Sequence, residues 1–361
     1  MSTRTSITNA VLILLANHSM LLAQAAVPPV FTGPIYERIP AQPQIDPNSQ
    51  AIVKYFVRHI YLNQIGSVRV ASDLTNSKND HSEKYNFDYA VPFYYNRPTD
   101  PLYTLVCDQK WCPLQGQKIR IPDYARPEFS PGKREESDHH MAIIDAQEAV
   151  EYDLWRAGVP NGKGGEFRIG NGGKGKLGGD GLGTFGGVQA QYALTLGVIR
   201  AADLAAGLIP HALQAAIPCA DNHPDFAHGV YPAAAGTDLV CPQDLKDSEM
   251  HPYFGMRIQL AKNDVEIAAL KAPAYAKAIF TALAHYGAFV ADSGAGGFDL
   301  RTESWLAYTA LGLPDPWVAL AKKTGIAPQN GNYVFPLNQI SDLEQRLRII
   351  APCVTAQNCP Q

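Results

Sequence analysis

Few folds accommodate the alternation that runs through Ser137–Arg156. Val150-Glu-Tyr-Asp-Leu-Trp-Arg156 changes character every second residue, as a half-buried strand does, and Ser137-Asp-His-His-Met-Ala-Ile-Ile-Asp145 before it reads as its hairpin partner. Ala146-Gln147-Glu148-Ala149 between them suits a hairpin turn. Pairing Asp145 with Val150 sets Ile143 opposite Tyr152, Ala142 opposite Asp153 and His140 opposite Trp155. One face then carries Met141, Ile143, Val150, Tyr152 and Leu154 and is expected to pack on a second sheet. The other carries Asp138, His140, Ala142, Glu151, Asp153 and Trp155, which reads as a groove.

Diagonal neighbours across such a pair have their Cβ atoms ~7–8 Å apart, so His140 and Asp153 could flank a bound group or a water. A glycosidase needs two carboxyl groups, ~5–5.5 Å apart for retention or ~6.5–9.5 Å for inversion, beside an aromatic platform for the sugar. Asp138, His140, Glu151 and Asp153 are therefore the catalytic candidates and Trp155 the platform. An eliminating lyase would instead use His140 as base, with a cation neutralising a uronate carboxylate. A solvated sheet face also alternates polar residues, so the same letters serve a purely structural role as well.

The 361 residues are 46% hydrophobic and 18% charged, enough to bury a core. Thirty Lys and Arg against 34 Asp and Glu give −4 without long runs, so no broad basic surface is expected and nucleic acid is not an expected partner. Residues 1–25 read as a signal peptide, with Arg4, the apolar run Ala10–Ala16 and small residues at Ala23, Ala25 and Ala26. The run falls short of the ~20 residues that span a bilayer and is broken by Asn17 and His18, so no integral membrane segment is expected after cleavage. The destination is secreted or periplasmic, where thiols oxidise. Six cysteines lie as near pairs, Cys107 with Cys112, Cys219 with Cys241 and Cys353 with Cys359. Of fifteen connectivities, short loop closure favours these three disulfides.

Residues 26–50 form a Pro-rich extended segment, and 51–361 a single β-rich domain. Helices are expected at 51–59, 200–206, 273–286 and between Asp315-Pro316 and Gly325, with Ser341-x-x-Glu344 as a capping box for another. Strands are expected at 89–95, 102–107, 118–122, 209–218, 256–262 and 289–292. Gly158–Gly187 holds 14 of the 30 glycines and reads as a flexible loop. Gly170-x-Gly172-x-x-Gly175 and Gly181-x-Gly183-x-x-Gly186 match the dinucleotide fingerprint by letter, but no βαβ repeat surrounds them, so no cofactor is assigned. Many strands and few helices argue for a mainly β fold, an antiparallel β-sandwich or jelly roll with helical insertions, with an irregular α+β domain as the alternative.

Three further residues are substrate-binding candidates. His211 begins a strand, Arg257 projects opposite the apolar face of its strand, and Asp292 sits where a strand enters a glycine turn. His223, Asp225, His228 and Asp238 have metal-ligand chemistry without a metal-site spacing, and no metal is assigned.

The sequence resembles a group of secreted, mostly bacterial proteins of uncharacterised function. The likeness rests on Ile45-Asp-Pro-Asn-Ser49, Ser137-Asp-His-His-Met141 with Asp145 and Tyr152-Asp-Leu-Trp155, Ile209-Pro-His-Ala-Leu213, Met256-Arg-Ile-Gln-Leu260 and Tyr286-Gly-Ala-Phe-Val-Ala-Asp292. It implies a single exported domain and no particular activity. Together the residues lead to the expectation of a carbohydrate-active enzyme, a glycoside hydrolase with a polysaccharide or oligosaccharide partner. A non-catalytic carbohydrate-binding or cell-surface module and a uronate lyase are the alternatives.

Overall fold

The computed structural model describes residues 31–59, 90–128, 138–183, 186–217, 219–220, 229–234, 252–293, 298–327, 333, 335, 337, 339–340 and 342–359. The expected signal peptide, Cys241 and the 223–238 acid–histidine group lie outside them. Twelve strands occur among the described residues: β1 (Phe93–Tyr95), β2 (Leu102–Cys107), β3 (Lys118–Arg120), β4 (Met141–Asp145), β5 (Val150–Trp155), β6 (Gly165–Ile169), β7 (Asn171–Lys176), β8 (Leu213–Ile217), β9 (Arg257–Leu260), β10 (Ala288–Ser293), β11 (Asp299–Leu300) and β12 (Leu347–Ile350).

They form three sheets, ordered β1-β4-β5-β7, β11-β8-β10-β9-β12 and β3-β2-β6. The β4–β5 hairpin has the register its alternation implies, with Asp145 opposite Val150, Ile143 opposite Tyr152 and Ala142 opposite Asp153. Its four-stranded sheet is a middle layer. Met141, Ile143, Tyr152 and Leu154 pack into a core with Leu105, Ile119, Phe167 and Ile169 of the three-stranded sheet. From the opposite face, Ala142 and Ile144 enter a larger core with Leu213, Ala215, Ile258 and Val290 of the five-stranded sheet.

The sheets are mixed rather than strictly antiparallel. β1–β4, β2–β6 and β8–β10 are parallel pairs, and helices including Ala274–His285 and Pro316–Thr324 contribute to the larger core, so the fold is a mixed α/β arrangement of several sheets, which leaves the β-rich reading uncontradicted but is not a regular jelly roll. Local signals place these helices well. Asp315 accepts from the N–H groups of Trp317 and Val318 at the start of the second, and Gly325, with φ 72°, ends it in the left-handed region.

The Gly-rich segment differs most from its expectation, because it supplies β6 and β7 rather than a loop. Its glycines serve close approach. A Cβ on Gly172 would stand 2.5 Å from the Asp153 carbonyl oxygen and 2.9 Å from Leu114, and one on Gly186 would stand 2.8 Å from the Gly172 backbone. The missing side chains let β7 pair with β5 while a further backbone lies across it. Gly172→Ala is accordingly expected to cost about 1–3 kcal/mol through overpacking, read as a lower urea midpoint at unchanged slope.

Disulfides join Cys107 to Cys112 and Cys353 to Cys359, and Cys219 is also disulfide-bonded. No helix among the described residues is long and apolar enough to cross a membrane.

Candidate functional site

At the start of β4 the hairpin leaves regular geometry. His139 and Arg156 both take positive φ, 44° and 51°, while Arg156 N–H donates to Asp138 O at 2.7 Å and Ala157 N–H to His139 O at 3.0 Å. These bonds fix Asp138 and His140 against Trp155, whose indole N–H donates to Asp138 Oδ1 at 3.0 Å. Arg156 covers one face of that indole, 4.1 Å from its centroid. A Cβ on Gly170 would meet the indole at 2.8 Å, so the glycine makes room for the ring.

His140 is buried and its Nδ1 lies 2.7 Å from Glu128 Oε1. Glu128 is itself buried, positioned by its N–H donating to His140 O at 2.8 Å. From the five-stranded sheet come Asp292 and Arg301. One extra residue in β10 between Val290 and Asp292 shifts the register against β8, and such an irregularity re-aims side chains. Arg301 follows β11, its backbone N–H tied to Gln214 O at 2.9 Å, and its Nη2 donates to Asp292 Oδ2 at 2.6 Å. Three acids, an imidazole and a guanidinium thus meet between two sheets, with Glu128, His140 and Arg301 buried and Asp138 partly exposed.

Their charges are sorted. Burial works against a charged His140, but the carboxylates of Glu128 and Asp138 outweigh it and hold its pKa up. Burial would raise Asp138, yet His140, the Trp155 hydrogen bond, Arg301 and Arg156 hold it below the ordinary carboxylate range. For Asp292 burial wins over Arg301 and His140, and its carboxyl is pushed up. Burial also opposes the Arg301 charge, which Asp292, Glu128 and Asp138 together retain.

Glu128, Asp138 and His140 present ligand-type atoms within 4.8 Å of one another, the spacing a metal ion would need. The Nδ1–Oε1 contact is a hydrogen bond and Arg301 already supplies positive charge to the trio, so their arrangement is accounted for by ion pairing.

Glu151 and Asp153 share the sheet face of this cluster but not its access to solvent. Both are completely buried, so the open groove expected for them is roofed over by the segment at Leu194–Thr195. Asp153 Oδ2 accepts from Leu194 N–H at 2.9 Å and Glu151 Oε1 from Thr195 N–H at 3.2 Å, while the Thr195 hydroxyl donates to Oε2. The two carboxyl groups are buried close enough for each to act on the other's charge. Burial raises both, Asp153 furthest because the Glu151 charge adds to it.

His211 and Arg257 stand at the opposite end of the five-stranded sheet, where β8 and β10 begin and Asp292 is a strand length away. Arg257 does not face a substrate site: it is 2% exposed, spends donors on the carbonyls of Tyr286 and Glu37 and covers the Phe289 ring. His211, partly buried, bonds Ala212 O at 2.9 Å and meets Tyr36 edge-on. Glu128 and Arg301 escaped sequence reasoning. Both sit in irregular chain, where no periodicity marks a direction.

A further acid, Glu303, is buried beside Tyr308 and Ala201 N–H, and burial pushes it to about 7. Glu151, Asp153 and Glu303 all release their protons at higher pH in the fold than in the unfolded chain. Their stabilisation is complete below the ordinary carboxylate range and is lost as pH rises through the folded values. Glu303 alone accounts for roughly 3 kcal/mol of that loss. Urea unfolding from pH 5 to 8 should therefore show falling stability, and Glu303→Gln with Asp153→Asn should flatten the fall.

Comparison with family models, curated proteins and solved structures finds no match.

Proposed function

We propose that this chain is an exported carbohydrate-active enzyme, a glycoside hydrolase acting on a polysaccharide, with Asp292 and Asp138 as its acid and base. One observation carries the reading: two carboxyl groups from different sheets surround the same buried His140 and Arg301, one held ionised and the other pushed toward its protonated form. Glycoside hydrolysis divides its work in this way. Asp292 donates a proton to the departing glycosidic oxygen, and Asp138 on the opposite side of the sugar either takes a proton from a water that bonds to the anomeric carbon or bonds to that carbon itself, water then hydrolysing the ester. The Glu128–His140 pair and Arg301 hold the two carboxyl groups in place and apart in protonation. Trp155 orients Asp138 through its N–H, with Arg156 over one ring face. The near-paired cysteines and the leader-like N-terminus support export.

Arg301 beside His140 offers the cation a uronate lyase would use, but Glu128 favours the protonated form of that imidazole, which has no lone pair free to take a proton. Incubation with cellulose, xylan, chitin, pectin and alginate, with products read by mass spectrometry, separates the readings. Saturated oligosaccharides with new reducing ends are expected. Unsaturated, ultraviolet-absorbing products would assign a lyase, and binding without products a non-catalytic module.

A further inference from the structure

Of the four tryptophans, Trp317 is fully buried, Trp155 and Trp305 are partly buried, and Trp111 is 72% exposed. An indole can bury 150–250 Å² when covered, so a chain that leaves one in water forgoes a large stabilisation. The exposure is not fraying. Trp111 sits inside the short loop closed by Cys107–Cys112, and Cys112 and Leu114 just beyond it are anchored in the smaller core. Asp108 N–H donates to Ile169 O at 2.9 Å, Gln109 N–H to Gly170 O at 3.1 Å and Cys112 N–H to Gln109 O at 3.3 Å. The backbone under the indole is therefore set before anything binds, which lowers the ordering cost of association.

The loop is also close to the proposed catalytic cluster. Gly170, which accepts from Gln109, donates its own N–H to Trp155 O at 2.8 Å and lies against the Trp155 ring. Trp155 in turn holds Asp138. A short path of backbone contacts thus runs from the exposed indole to the carboxylate, along one edge of the sheets. The exposed neighbours of Trp111 in the chain are Asp108, Lys110, Pro113 and Gln115. A membrane-inserting or protein-docking surface presents a contiguous apolar patch. A flat ring with the hydrogen-bonding side chains of Asp108, Lys110 and Gln115 beside it in the chain instead matches a sugar, which offers one apolar face and a rim of hydroxyls.

We infer that Trp111 is a glycan-binding subsite, stacking on a sugar ring of a polysaccharide whose chain extends outward from the Asp138–Asp292 cluster. The inference rests on the proposed glycan substrate but not on cleavage. Its test compares the full chain with Trp111→Ala and Trp111→Phe for retention on insoluble cellulose, xylan and chitin and for affinity electrophoresis in soluble pectin and alginate. Thermal melting is measured in parallel. Trp111→Ala is expected to lose about tenfold in affinity for the polysaccharide that the wild-type chain binds, with Trp111→Phe intermediate and melting unchanged. Equal binding by Trp111→Ala would overturn the inference, as would a wild-type chain that binds none of the polysaccharides or binds phosphatidylcholine vesicles instead. The two claims fail separately. Tryptophan-dependent binding without products removes the hydrolase reading and leaves the subsite, whereas cleavage with Trp111→Ala binding as wild type removes the subsite and leaves the hydrolase.

Discussion

Arg301→Met is expected to cost about 3–5 kcal/mol of folding stability, because it removes the cation from a buried ion pair and leaves its partner acids behind. Arg301 is nearly out of contact with water, and its charge is sustained by Asp292, Glu128 and Asp138. Methionine fills comparable volume, so lost packing contributes little and the penalty is electrostatic. Two features distinguish this from simple core damage. The loss should be smaller near pH 5 than at pH 8, since Asp292, whose pKa burial already raises, can then take up a proton. Arg301→Met combined with Asp292→Asn should recover part of the loss, because the substituted pair buries no uncompensated charge. Urea unfolding of the single and double variants reads both effects.

How much of this was legible beforehand depended on regular spacing. The β4–β5 register followed from period-two alternation and a four-residue turn, and strand β2 and the helix ending at Gly325 followed from similarly local cues. The same alternation said which side chains share a face, but not what covers that face. Glu151 and Asp153 were read as lining a groove, whereas Leu194 and Thr195 arrive from more than forty positions along the chain to seal them in. The glycines of β6 and β7 read as loop because composition reports backbone freedom, while their use here is the close approach of Asp153 O and Gly186 to Gly172. Asp138, His140 and Asp292 were singled out from sequence and converge. Glu128 and Arg301, which complete the cluster, lie in irregular segments with no periodic signal.

The central claim is that chemistry belongs to the cluster between the sheets and not to the carboxyl pair buried beneath Leu194. Asp138→Asn keeps the shape of the side chain and its acceptor for the Trp155 N–H but abolishes the ionised carboxylate, so glycan cleavage should fall by about 10²–10⁴. Asp153→Asn replaces a carboxyl that burial and the Glu151 charge already push toward its neutral form, keeps an acceptor for Leu194 N–H, and should leave turnover close to wild type. Product formation from one polysaccharide by wild type, Asp138→Asn and Asp153→Asn, each first shown to fold by its melting temperature, tests the claim most directly. Activity lost in Asp138→Asn and retained in Asp153→Asn is the predicted result; activity retained in Asp138→Asn, or lost only in Asp153→Asn, would contradict it.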